Sequence, residues 1–233
     1  MSGTLYGIGL GPGDPELITL KAARLIESAT TIAYPTLAGS DSFARAIARD
    51  LIPENAREIR MDVPMSTERQ PAQDAYDQGA VDIAKALEAG ENVVFLCEGD
   101  PFFYGSFMYL HARLAERFTV EIIPGVTSVT ACAARAAMPL AARNERLTVL
   151  PGPLPEDELR SRIDGAENVV IMKVGRHMPK IRAVIEALAL TDQATYVERA
   201  TLPEERVLPL AQAPESAPYF SMILITKGAD PWL

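Results

Sequence analysis

Residues 5–29 read "LYGIGLGPGDPELITLKAARLIESA", and the fold turns on how the middle of that stretch is understood. An apolar strand pattern runs into Gly7, Gly9 and Gly11 at alternate positions, then into Pro12-Gly13-Asp14-Pro15, and only then into apolar residues at helical spacing. A dinucleotide-binding turn requires G-x-G-x-x-G opening a helix directly. Neither register satisfies it: counting from Gly7 the third glycine is replaced by Pro12, and counting from Gly9 by Asp14. Proline fixes φ and lacks an N–H, so Pro12 and Pro15 keep the segment out of a helix interior. The spacing predicts a helix beginning after Thr19, a good N-cap. The Gly/Pro segment then stands between strand and helix as a backbone-exposing loop. Taken alone, such a loop is commonly only a tight connection.

Working outward, "LYGIGL", "TTIAY", "REIRM", "NVVFLC" and "VEIIP" read as strands. Between and after them "TLKAARLIESA", "SFARAIARDLI", "QDAYDQGAVDIAKALEAG", "GSFMYLHARLAERF" and "VTSVTACAARAAM" carry apolar residues at three- and four-residue spacing, the pattern of core-facing helices. This alternation predicts a mostly parallel sheet with helices on both faces. After "PLAARNE" the rhythm changes. "RLTVLPG", "NVVIMKV", "ATYVERA", "RVLPLA" and "YFSMILIT" read as strands, with helical patterns mainly in "PEDELRSRI" and "MPKIRAVIEALAL". Strands without helices between them pair antiparallel. The fold class is therefore α/β with two α/β domains, residues 1–142 built on a mostly parallel sheet and 143–233 on a mixed one, dividing near Arg143.

The 233 residues are 48% hydrophobic and 23% charged, the balance of an ordinary globular chain. Thirty-one Asp and Glu against 22 Lys and Arg give a net charge of −9, a field that repels nucleic acid and anionic membrane surfaces. Cys97 and Cys132 form no CxxC pattern and the histidines are His111 and His177 alone, so neither a disulfide scaffold nor a metal site is expected. No charged n-region followed by an apolar h-region opens the chain, and no apolar run approaches the ~18 residues of a spanning helix. A cytoplasmic location is expected.

Two further loops share the chemistry of the first. "VVFLCEGDPFFYGS" ends a strand at Glu98-Gly99-Asp100-Pro101, and "IIPGVTSVTA" ends one at Pro124-Gly125 and offers the hydroxyls of Thr127 and Ser128. In open α/β sheets ligands bind at the carboxyl ends of the strands. Thr127 or Ser128 alone is an ordinary N-cap, but three Gly/Pro loops on one predicted edge point to a ligand. Asp100 could merely cap a turn. Because Pro101 already fixes that turn, the ligand reading is preferred.

"GIGLGPGDPELITLKAARLI", "EGDPFFYG", "IIPGVTSVTACAARAAMPLA" and "VVIMKVGRH", in this order and spacing, resemble the S-adenosylmethionine-dependent tetrapyrrole methyltransferases of corrin and siroheme synthesis, over nearly the whole chain. Within that family "EGDPFFYG", "MKVGRHMPKIR", "YVERATLPEERV" and "PYFSMILITKG" resemble the members that methylate carbon 20 of precorrin-2 on the way to cobalamin. The rival acceptor is cobalt-factor II, methylated at the same carbon in the anaerobic route. A nicotinamide-dependent oxidoreductase is disfavoured by the failed third glycine, and a tetrapyrrole carrier by the intact cofactor loops.

The resemblance implies a cleft between the two domains holding a folded S-adenosylmethionine, with contacts from Pro12, Glu98, Gly99, Asp100, Phe103, Thr127, Ser128, Met172 and Ala200. Many relatives have Gly-Gly-Asp where this chain has Glu98-Gly99-Asp100, so the Glu98 side chain must turn away or leave the contact to backbone. By residue type Met172 is core filler; the resemblance alone gives it a ligand role. A homodimer is implied in the same way. The acceptor is a reduced tetrapyrrole rimmed by carboxylates, whose electron-rich meso carbon takes the methyl group in line and then sheds its proton. Such a reaction needs alignment rather than a nucleophile, and no catalytic side chain is assigned. A polyanion meeting a chain of charge −9 requires local cations, for which the forked guanidinium is well suited. The candidates are Arg143 and Arg146 at the domain joint, Lys173, Arg176 and His177 after the "VVIM" strand, and Arg199 beside Ala200. A lone arginine is more commonly solvated surface, so only some of the group is expected to bind substrate.

Overall fold

The structure is a computed structural model describing residues 2–37, 40–64 and 69–227. Its contacts divide the chain into two units after Thr127. In the first unit β1 (Thr4–Gly9), β2 (Thr31–Thr36), β3 (Arg57–Asp62), β4 (Val93–Cys97) and β5 (Thr119–Ile123) form a sheet of order β3-β2-β4-β1-β5. Every pairing in it is parallel.

The central strand shows why. In β4 successive side chains point to opposite faces. Val93, Phe95 and Cys97 join a core with α3 (Arg69–Glu88) and α4 (Phe107–Leu114), while Val94 and Leu96 join another with α1 (Leu20–Glu27) and α2 (Phe43–Ile47). A strand covered on both faces reads as an unbroken apolar run, the signature of a buried parallel strand. As expected, Thr19 caps α1, its Oγ1 accepting from the Ala22 N–H at 3.3 Å. Two helix lengths differ from the pattern: α2 ends after five residues and passes into a separate turn at Arg49–Leu51, and α3 starts earlier, at Arg69. Pro71 falls in the first turn of α3, where a missing N–H costs nothing.

In the second unit β6 (Leu147–Pro151), β7 (Asn168–Met172), β8 (Ala194–Glu198), β9 (Arg206–Pro209) and β10 (Ser221–Thr226) form a sheet of order β6-β7-β10-β8-β9. Only β6 and β7, joined through α6 (Glu156–Asp164), are parallel; the other pairs are antiparallel. One face packs on α6 and α7 (Met178–Ala187) through Val169, Ile171, Tyr196 and Ile223. The other face carries Val170, Met172, Val197, Met222 and Leu224 against Val129, Cys132 and Ala133 of α5 (Ser128–Arg135). Because α5 covers this sheet, the contact division falls before it, whereas the change of strand rhythm is read near Arg143.

Cys97 and Cys132 are both buried free thiols. Burial pushes them up to about 11 and about 12, respectively. A group whose pKa is raised in this way stays neutral through the working range, and the thiolate fraction at pH 8 is on the order of 10⁻³ or less. Iodoacetamide at pH 8 is therefore expected to leave both cysteines of the folded protein unmodified while labelling both in urea. Native labelling at the urea rate would show that the thiols are not held in the two cores.

Candidate functional site

In the first unit β4, β1 and β5 are parallel neighbours, so the three Gly/Pro loops leave one sheet edge side by side. Gly11 and Gly99 are joined by a short antiparallel bridge, with N–H···O distances of 3.2 and 2.8 Å in the two directions. Asp100 ties the other loop in: Oδ1 accepts from the N–H groups of Phe102 and Phe103, each at 2.9 Å, and Oδ2 from that of Gly125 at 3.1 Å. The turn-capping role weighed against a ligand role is thus visible. A carboxylate offers lone pairs beyond these three.

The glycines at this edge do different work. A Cβ on Gly9 would lie 2.5 Å from the Gly125 nitrogen, and one on Gly125 would lie 2.1 Å from the Gly99 oxygen. These two let bare backbones touch. Gly99 is different: its φ is +65° and a Cβ there would meet nothing within 4 Å. Its N–H and C=O are held in the bridge to Gly11, in a left-handed conformation that turns the bare Cα face towards open space. Around it stand half-buried Pro12, exposed Glu98, and Phe103, whose ring is edge-on to Tyr104 at 5.3 Å. Thr127 ends the third loop.

In the second unit Ser128 opens α5. Strand β10 runs antiparallel between β7 and β8, so its start shares an edge with their carboxyl ends. Met172 and Ala200 stand there with their side chains in the core beneath the edge. Next to them Lys173, Arg199 and Thr201 take φ values of 57°, 49° and 71°. Left-handed backbone at non-glycine residues is strained and concentrates at functional positions. Lys173, Arg176 and Arg199 are exposed at this edge. His177 ends the turn Gly175–His177; burial first, then the charges of Lys180 and Arg176, hold its imidazole below the ordinary range.

Two expected cations stand elsewhere. Arg143 precedes β6, and neighbouring Glu145 accepts from Asn168 Nδ2 at 3.1 Å at the start of β7, the opposite edge of the sheet. Arg146 is engaged by Glu167, which accepts from its backbone N–H at 2.6 Å and its guanidinium at 3.4 Å.

Two carboxylates outside the expected site residues brace this edge. Glu198 is buried and accepts from the Tyr196 hydroxyl and from Arg206 at 3.3 Å; burial and that carboxylate push the Tyr196 phenol well up. Glu205 accepts from the Thr201 N–H at 2.7 Å and from Arg135 Nε at 2.7 Å. Their only sequence signal is charge inside an otherwise apolar strand and its turn. Among the described residues no helix is long and apolar enough to cross a membrane, and no His/Cys/Asp/Glu group could hold a metal.

Comparison with known proteins gives a consistent set of relatives. The family of tetrapyrrole (corrin/porphyrin) methylases matches residues 4–214. A precorrin-2 C(20)-methyltransferase of a Sinorhizobium species is 43% identical, over 98% of this chain and 97% of its own. A cobalt-precorrin-2 C(20)-methyltransferase of Salmonella typhimurium is 35% identical, over 97% of this chain and 98% of its own. Among solved structures, a cobalt precorrin-4 methyltransferase has a TM-score of 0.74 at 25% identity, covering 96% of this chain and 94% of that one. A uroporphyrin-III C-methyltransferase of Thermus thermophilus, complexed with S-adenosylhomocysteine, has a TM-score of 0.69 at 26% identity, covering 97% and 92%.

Proposed function

The chain belongs to the tetrapyrrole (corrin/porphyrin) methylases, and from that premise we propose that it transfers a methyl group from S-adenosylmethionine to carbon 20 of precorrin-2, giving precorrin-3A in cobalamin synthesis. The observation that carries the reading is the 43% identity, end to end, with a precorrin-2 C(20)-methyltransferase. Identity to the relative named for the cobalt-bearing substrate is lower, at 35%.

The residues present fit the cofactor. Gly99 leaves a side-chain-free face open to close approach by a ligand, in a loop joined to the Pro12 loop by the Gly11–Gly99 bridge. The proposal assigns Pro12, Glu98, Gly99, Asp100, Phe103 and Thr127 of the first unit, and Ser128, Met172 and Ala200 of the second, to S-adenosylmethionine. Use of this cofactor is supported by the relative solved with S-adenosylhomocysteine. When bound, it supplies a methyl group on a sulfonium, which needs neither metal nor acid for activation. What remains for the protein is to hold the acceptor carbon in line, which is catalysis by proximity and orientation. The acceptor's carboxylates are given to Lys173, Arg176 and Arg199, which share one edge of the second sheet, with Arg143 at the other edge the weakest candidate, and no side chain is required as nucleophile. A cytoplasmic homodimer completes the proposal, the homodimer resting on family resemblance.

The test combines calorimetry with an anaerobic assay offering both acceptors. One S-adenosylhomocysteine per chain and turnover of metal-free precorrin-2 are expected. Folded protein that binds no S-adenosylhomocysteine would overturn the reading, and preference for the cobalt-bearing acceptor would move it to the other route.

A further inference from the structure

Tyr219 and Phe220 precede a strand buried from Ser221 through Ile225, yet they are 59% and 41% exposed. Their rings stand 5.2 Å apart at 73°, an edge-to-face pair. The sheet register fixes what flanks them. Ser221 lies opposite Glu198 on β8 and Met222 opposite Met172 on β7, so Phe220 falls beside Arg199 on one side and the Lys173–Gly175 segment on the other. The contacts agree: the Arg199 N–H donates to the Phe220 carbonyl at 2.8 Å, and a Cβ on Gly175 would lie 3.9 Å from the Tyr219 Cα. Adjacent strands are about 4.8 Å apart, which puts the backbones of Lys173 and Arg199 about 10 Å from each other with the aromatic pair between them.

The arrangement is held from below. Ser221 is buried, its hydroxyl donating to the Pro218 carbonyl at 2.6 Å and accepting from the Gly175 N–H at 3.4 Å. Glu198, anchored by Tyr196 and Arg206, sits directly before Arg199. Two rigid aromatic side chains, with a cation on either side across the strand direction, match a flat ring whose face is apolar and whose rim is anionic.

We propose that Tyr219 and Phe220 form the surface on which the acceptor macrocycle rests, with Lys173 and Arg199 taking carboxylates at its rim. This assignment rests on the tetrapyrrole reading above and adds to it the residues that recognise the ring itself. Loss of an aromatic contact of this kind weakens ground-state binding, so it raises KM with kcat little changed.

The experiment measures acceptor KM and kcat, and S-adenosylhomocysteine affinity, for Tyr219→Ala, Phe220→Ala and the ring-preserving Phe220→Tyr. The alanine variants are expected to raise acceptor KM about tenfold and spare the cofactor. Phe220→Tyr is expected to restore the parent KM. An unchanged KM overturns the assignment. So does a parallel fall in S-adenosylhomocysteine affinity, which would place the cofactor's adenine on the pair, and so does failure of Phe220→Tyr to rescue. A parent protein that turns over neither acceptor fails the proposed function; an active parent with indifferent variants fails this inference alone.

Discussion

Replacing Gly99 by leucine is expected to abolish S-adenosylhomocysteine binding, by at least about a hundredfold, in a protein that still folds. The direction in which the new side chain points decides the outcome. Among the described residues, its two chain neighbours aside, nothing lies within 4 Å of the Gly99 Cβ position, so the isobutyl group enters open space there. The fold bears only the cost of a left-handed residue at φ +65°, about 1–2 kcal/mol. That corresponds to a fall in Tm of roughly 2–8 °C for a domain of this size. Gly125→Ala is the contrasting case. Its single methyl would lie 2.1 Å from the Gly99 oxygen, far inside contact distance, and both partners are backbone that has no rotamer to yield. Here overpacking of about 1–3 kcal/mol or more should accompany the loss of binding. Calorimetry and thermal unfolding on both variants check the pair. Gly99→Leu binding S-adenosylhomocysteine within about threefold of the parent would remove this loop from the cofactor site; loss of binding only through unfolding would make Gly99 a structural glycine.

The fold was legible because each strand carries its own local signal. In β4 the run Val93–Cys97 feeds two cores by alternation, and the lack of a helix pattern between β8, β9 and β10 already implied antiparallel pairing. What local signals do not carry is the partner of an amphipathic face. The stretch "VTSVTACAARAAM" reads as a helix with an apolar side, but nothing in it says which sheet that side covers. Val129, Cys132 and Ala133 pack on Val170, Met172 and Met222, and that tertiary choice moves α5 into the second unit. The early end of α2 was equally hidden, since its apolar spacing runs on through Ile52 and Leu51 and Ile52 still pack on the same core after the helix has ended.

At the site, the loops could be placed and their members could not be sorted. Gly9, Gly99 and Gly125 are one letter in the sequence, while the structure separates two where a Cβ would strike backbone from one where a Cβ would enter open space. Asp100 stands out in the sequence, but its three amide partners lie on two loops, one of them 25 residues away. The cations divide for the same reason. Glu167, 21 residues on from Arg146, engages it across the β6–β7 connection, and the parallel pairing of those strands puts Arg143 at the edge opposite Lys173. Tyr219 and Phe220 were absorbed into a strand pattern because aromatic residues favour strands; only the register shows that they stand beyond its buried part.

Removing Arg199, Lys173 or Arg176 is expected to weaken tetrapyrrole binding about ten- to hundredfold each, the equivalent of one charge-assisted pair of roughly 1.5–3 kcal/mol. Local placement is essential to this expectation, because a chain of net charge −9 repels a polycarboxylate at long range. Raising salt should weaken the parent by screening the exposed part of the attraction, and should weaken each variant less. Arg143→Ala, at the opposite sheet edge, should have the smallest effect of the four. S-adenosylhomocysteine affinity should be unmoved throughout. A glycine at 199 separates function from structure more sharply than alanine does. Arg199 is held at φ 49°, where glycine bears no steric penalty, so Arg199→Gly should unfold at the parent's temperature or above it while binding tetrapyrrole at least about tenfold more weakly. Such a combination, stability kept or gained and affinity lost, is the mark of a residue whose strained conformation is retained for its ligand. Titrations of tetrapyrrole and S-adenosylhomocysteine at low and high salt, with thermal unfolding of each variant, provide the check. If all the variants bind tetrapyrrole like the parent, Lys173, Arg176 and Arg199 are solvated surface cations and the carboxylates are held elsewhere.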